Sequence, residues 1–251
     1  MNSAFTELTN DTVSLYGRTL HRICAVRDFV CCDVEVKAGT LGGWVEREEN
    51  LSRYDASWIA DEAVVYDNAE VRVNSLVARH ARIFGNAVVT DRCHIGGFAK
   101  VYGKAMLLNG VSVRGEAQVF DEATVVDGAV VSDHASVFGH AVVCHGAHVR
   151  EYARMAGSSI AAGCLVEIDG HAFIDGAVRI ADVYDYAQFR EPSGDRLWLT
   201  YTFGNRLWHS PTFDKPKTED ELMEYADAQG MRDFYSHICE CVKNNHVKTN
   251  N

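Results

Sequence analysis

Ala81-Arg82-Ile83-Phe84-Gly85-Asn86-Ala87-Val88-Val89-Thr90-Asp91-Arg92-Cys93-His94-Ile95-Gly96-Gly97-Phe98 decides the fold of this chain. Every sixth residue in it is aliphatic (Ile83, Val89, Ile95), and two places before each stands a small one (Ala81, Ala87, Cys93). Outward from this stretch the aliphatic column runs unbroken from Val65 to Val149, and the small column, which admits Ser75 and Val111, runs from Ala63 to Ala147. A six-residue phase is neither the 3.6-residue stripe of a helix nor the alternation of a plain strand, so Ser57 to Met155 is an internal repeat. Residues two apart in a strand share a side, which pairs each small residue with its aliphatic partner. The remaining positions are rich in Gly, Asn and Asp, which tolerate the positive φ of a corner. Every third hexad adds an aromatic after its aliphatic residue, giving Tyr66, Phe84, Tyr102, Phe120 and Phe138, so one coil is eighteen residues. The expectation is a triangular solenoid of parallel strands, about seven coils at ~4.8 Å each, with Val and Ala inside. Its register starts at Ser57 and Ile59, slips by one residue after Gly157-Ser158, and resumes as Val166/Ile168, Ala172/Ile174 and Val178/Ile180.

Spacing does not choose the hand of the coil, since parallel crossovers are usually right-handed. The hexads, however, resemble those of the left-handed parallel β-helix proteins, the hexapeptide-repeat superfamily best known for acyltransferases. A closer likeness precedes them, where Val36-Lys37-Ala38-Gly39-Thr40-Leu41-Gly42-Gly43-Trp44-Val45 leads to Glu49-Asn50-Leu51-Ser52 and Asp55-Ala56-Ser57-Trp58-Ile59. This Gly-Gly-aromatic entry resembles that of bacterial and prophage hexapeptide-repeat proteins, over roughly residues 12 to 190. The resemblance implies an all-β solenoid, a left-handed parallel β-helix, at 57–190, with an N-terminal β cap at 1–56 and a C-terminal hairpin-and-helices module at 191–251.

The module has its own signals. Arg196 to Phe203, Gly204-Asn205 and Arg206 to His209 read as a β-hairpin with a two-residue turn. Thr218 and Glu221 form a capping box, Gly230 ends that helix, and Met231, Tyr235, Ile238 and Val242 share a face of a second. Trp198 and Trp208 belong to the module's core. Pro192, Pro211 and Pro216 all follow the repeats and mark the boundary near Arg190. At the other end, residues 12 to 50 cap the first coil, with Leu20 to Val26 as a strand, because open solenoid edges pair with other chains unless covered.

Composition narrows function. A chain of 251 residues with 47% hydrophobic residues is an ordered globular protein. Neither a long apolar run nor a signal-peptide pattern is present, so the expected location is cytoplasmic, away from membranes. A net charge of −11 argues against direct nucleic-acid binding, though an acidic surface could mimic nucleic acid. Asp67, Asp121, Glu122, Asp127 and Asp133 are interspersed with Arg72, Arg92, Lys104 and Arg114, which makes such a stripe patchy. Eight cysteines without a Cys-x-x-Cys pair read as inert: Cys93 fills a small slot, while Cys31-Cys32 and Cys239/Cys241 read as surface thiols or a metal fragment, with metal disfavoured.

Chemistry has few handles. Superfamily acyltransferases use a histidine base and often a loop thrown out between hexads, and no loop interrupts residues 57–155. His80, His94, His134, His140, His145 and His148 fall at outward or corner positions. The spacing of His140 and His145 resembles that of carbonic anhydrases built on this helix, but Lys104 stands where a third histidine would be required. Neither a phosphate loop nor a nucleophile elbow is present. No catalytic residue, cofactor or metal is therefore assigned.

The outside of the prism is more informative. The aromatic ladder points outward, the next face carries Val88, Met106, Leu108, Val126, Val142 and Cys144, and the third is polar with Arg79, Arg114, Ser132, Asp133, Arg150 and Glu151. Exposed apolar ladders call for a cover, either self-association as a trimer or dimer, the chain's own ends folding back, or a foreign protein. The expected binding or oligomer interface is thus Tyr66, Phe84, Tyr102, Phe120, Phe138, Val88, Met106, Leu108, Val126 and Val142. The function expected is a non-catalytic oligomeric binding protein of phage type that sequesters or blocks a host macromolecule or small nucleotide, one version being an inhibitor of host defence. An acyl-CoA-dependent acyltransferase is the alternative and an acidic nucleic-acid mimic the second.

Overall fold

The computed structural model describes residues 4–181, 185–190, 198–202, 206–210 and 213–249. Parallel two- and three-residue strands stack into a β-solenoid of about eight turns. Three sheets form its walls. The aromatic face contains Val64–Val65, Arg82–Ile83 and Lys100–Val101; the aliphatic face contains Glu70–Val71, Val88–Val89 and Met106–Leu108; the third face contains Trp58–Ile59, Leu76–Val77 and His94–Ile95. Partners sit eighteen residues apart, as in Ile83↔Val101 and Val89↔Leu107. The small and aliphatic columns are inside: Ala81, Ile83, Ala87, Val89, Cys93 and Ile95 have no exposed surface.

Corners form where the sequence places them. Asp61, Asp67, Asp121 and Asp133 all take positive φ, between 55 and 59°. Aspartate suits these sites twice over, because its carboxylate also accepts an amide hydrogen bond from the coil above. Asp61 accepts from Arg79 N at 2.9 Å, Asp121 from Gly139 N at 3.2 Å, and Asp133 from Glu151 N at 3.1 Å.

The solenoid begins one coil earlier than the hexads suggest. β1 (Thr6–Leu15) pairs antiparallel with β2 (Arg18–Ala25), and β3 (Phe29–Cys31) with β4 (Val34–Val36). β5 (Leu41–Val45) then pairs antiparallel with β2 on one edge and parallel with Val64–Val65 on the other. Leu51 bridges Val71 and Trp58–Ile59 pairs with Leu76–Val77, so the Gly-Gly-aromatic entry is itself the first turn. Its glycines are there for closeness: a Cβ on Gly42 would lie 2.5 Å from Ile59 O, and one on Gly43 2.5 Å from Ala63 O. Asn50, buried, donates to Asp67 O and Ala69 O, and so ties the turn's irregular part to the regular coils.

The register slips by one residue after Gly157-Ser158, as expected, and the strand pairing narrows its place. Val143↔Ala161 keeps the spacing of eighteen, so Gly157-Ser158 is an ordinary corner; Val149↔Ile168 and Met155↔Ile174 are nineteen apart. The extra residue sits between, where Gly163 takes φ 143° and Leu165 bulges out, 79% exposed. Only glycine adopts that φ readily, and the corner absorbs the insertion without breaking the core.

Tyr186–Arg190, Trp198–Thr202 and Leu207–His209 form a three-stranded antiparallel sheet, so the expected hairpin gains a third strand. Its turn, Phe203 to Asn205, and the boundary residues Glu191 to Gly194 lie outside the described residues, as does the Trp198 side chain. The sheet closes the last coil: Phe173 N donates to Thr200 Oγ1 at 3.0 Å and Asp175 N to His209 Nδ1 at 3.2 Å. α1 (Glu219–Gln229) opens on the expected capping box, Glu221 N to Thr218 Oγ1 and Thr218 N to Glu221 Oε2, and ends at Gly230 with φ 69°. α2 (Arg232–Thr249) buries Tyr235, Ile238 and Val242 with Trp208 and Leu222 in a second core, separate from the solenoid's.

Candidate functional site

Strand alternation turns Tyr66, Phe84, Tyr102, Phe120 and Phe138 outward, as expected. They stack into a tower, with centroids 4.8–5.1 Å apart and planes within 3° of parallel. Stacking follows from the fold, since rings at one position on successive coils are held one strand spacing apart. Each ring shields its neighbours: Tyr66 is buried and the other four are half-buried. Arg18 lies over Tyr66 and Arg154 over Phe138, closing the tower at both ends with a cation. On the aliphatic face Val88, Leu108, Val126 and Val142 are half-buried, Cys144 is buried, and Met106 stands out at 44% exposed.

The histidines divide by position. His140 lies 3.4 Å from Glu122, which also holds Lys104 Nζ at 2.7 Å, so the column that would need a third zinc ligand is an ion-pair ladder. His134 stacks on Tyr152, and His145 meets Asp127 at 3.9 Å. Among the described residues no group of three or more His, Cys, Asp or Glu is placed to hold a metal ion. The cysteines are not surface thiols as a group. Cys31 is buried with Sγ against Ser75 O, Cys32 Sγ approaches Asn74 O at 3.0 Å, and Cys239 is in the helical core. The first two fasten the β3–β4 hairpin to the third face, where Phe29 packs edge-on against Trp58 at 5.7 Å.

That hairpin creates a feature the sequence does not announce. Beyond its edge, at Val34, a groove of ≈ 450 Å³ runs along the third face, floored by Ala78 and Gly96 and flanked by His94, Arg79 and Arg114. The position after the inward aliphatic residue reads Ala60, Ala78, Gly96 in successive coils and then Arg114, so a flat floor ends at a long cation. Burial lowers the pKa of His94, and Arg114 adds to the effect, which favours the neutral ring. Arg79 and Arg114 appeared in the sequence reading only as polar exterior; the signal for more was the run of small residues at eighteen-residue spacing.

The chain matches no protein-family model, and no curated protein matches it. The fold and the geometry of its faces therefore define the class: a parallel β-solenoid capped at its C-terminal end by a small antiparallel sheet and two helices.

Proposed function

We propose that this protein is a non-catalytic binding scaffold that self-associates and holds a host macromolecule or small ligand, in the manner the prophage resemblance implies. The observation that carries it is the exterior. A regular prism presents an unbroken ring tower on one face and an aliphatic track on the next, and no loop leaves the repeat between Ser57 and Met155. Repeated outward Val, Leu and Met side chains give a flat self-complementary surface, which closed two- or three-fold symmetry buries efficiently. The left-handed coil and the hexapeptide-repeat kinship belong to this proposal, as do a phage origin, a cytoplasmic location and inhibition of a host defence system.

Size-exclusion chromatography with light scattering is the first test. The wild-type chain is expected as a trimer or dimer, and Met106→Glu with Val126→Glu as a folded monomer; a monomeric wild type would remove the self-association. Co-purification from host lysate, with the same double variant as control, tests capture, and a wild-type chain that retains no partner or ligand argues against binding. Thermal stabilisation by coenzyme A at millimolar concentration would instead favour the acyltransferase alternative.

A further inference from the structure

We propose that the groove on the third face is a binding site for a nucleotide, an aromatic ring bearing phosphate. This inference deepens the binding reading above by naming the ligand class and the place.

Four observations carry it. The floor is flat because Gly96 has no side chain, and the fold does not require that glycine. Gly96 is not among the residues with positive φ, and a Cβ added to it would meet only His94 Nε2, at 3.9 Å. A glycine that neither a turn nor a close approach explains leaves room for something else to lie against the backbone. The second observation is size: ≈ 450 Å³ falls within the range of small-ligand sites, and the three coil spacings from Ala60 to Arg114 give a floor of about 14 Å. The third is charge. Among the described residues neither Arg79 nor Arg114 enters an ion pair, whereas the acidic chain pairs many of its other cations, including Arg18, Arg72, Lys104 and Arg150. Guanidinium groups match phosphate oxygens two at a time, and on a molecule of net charge −11 two unpaired ones on the same groove supply the local attraction an anion needs.

The fourth is the lining between those cations. His94 and Ser112 reach the groove from adjacent coils, and both are neutral donors or acceptors suited to the edge of an uncharged ring. Asp61, whose carboxylate also accepts from Arg79 N, adds an acceptor at the rim suited to a sugar hydroxyl. A bare phosphate would need neither the flat floor nor this neutral lining, and an apolar ligand would gain nothing from the arginines.

Titration calorimetry on the intact protein decides the matter, with AMP, adenosine and inorganic phosphate as probes. AMP is expected to bind, and adenosine and phosphate at least ~10-fold more weakly, the loss of a charge-assisted contact or of the ring seat. Gly96→Val, which fills the floor, and Arg114→Ser, which installs the residue found one coil later at Ser132, should each weaken AMP by about 10-fold or more with the thermal midpoint unchanged. Three outcomes overturn the assignment: no AMP binding at millimolar concentration, phosphate binding as tightly as AMP, or variants that bind as the wild type does. A wild type that ignores AMP yet assembles and retains a partner would lose this site alone. One that also stays monomeric and retains nothing would lose the binding reading with it.

Discussion

At the scale of single residues, the two kinds of glycine separate structural demand from open space. Gly43 lets β5 press against the next coil, and Gly43→Ala would force a methyl to within 2.5 Å of a backbone oxygen that cannot move aside. Denaturant unfolding is expected to show a loss of about 1–3 kcal/mol, the range for overpacking a tight site. Gly96→Ala meets no such obstacle and should leave the midpoint within ~0.5 kcal/mol. His209 gives a pH prediction with a definite sign. Burial pushes its pKa down to about 4, so the folded chain refuses a proton that the unfolded chain accepts below an ordinary value of ~6.5. Stability is unaffected above that value and falls as pH drops toward about 4, by up to about 3 kcal/mol. Because His209 and Trp208 are neighbours in the C-terminal sheet, the fluorescence of Trp208 should report the loss first, and His209→Gln should flatten the dependence. A pH profile unchanged by His209→Gln would contradict this assignment. The capping box at Thr218 and the stop at Gly230 were legible as letters, because a helix end is chosen by residues within one turn.

At the scale of elements, the ring tower behaves as one unit. Phe120 is stacked on both sides, by Tyr102 and Phe138, whereas Phe98, 60% exposed, stacks among the described residues on His80 alone. Phe120→Ala is therefore expected to cost about 2–3 kcal/mol, two ring pairs plus partial burial, and Phe98→Ala less than ~1 kcal/mol. Equal losses in denaturant titrations would mean that stacking contributes little. Strand positions, corners and the outward direction of each ring were readable because a strand's period of two and a corner's positive φ act locally and repeat at every hexad. What escaped the reading was where neighbours cover one another. An isolated letter gives a ring's direction, but its shielding comes from the copies eighteen residues away, and the aliphatic track is shielded in the same way. The slip was legible between Gly157-Ser158 and Val166, and only pairing narrows it to the corner at Gly163, since Gly157 and Gly163 are both glycines at corners.

At the scale of the whole molecule, the solenoid core and the helical core are distinct, and each coil's strands pair with those of the coils beside it. Stability in such a stack rises toward the middle, where both edges of every strand are paired. Hydrogen exchange is expected to be slowest at the coil strands around Val101, Val119 and Val137 and fastest in the C-terminal sheet and helices. Uniform protection along the chain would contradict a one-dimensional stack. The sequence by itself determined the repeat, its inside and its corners, because those depend on residues within a few positions of one another and each hexad states them again. Tertiary structure alone decided where β3 and β4 lie on the third face, how β5 joins cap to coil, which side chains close the last edge, and that a groove remains beside Val34. Each of these joins segments distant along the chain through contacts that no period repeats, so only the folded coordinates bring the partners together.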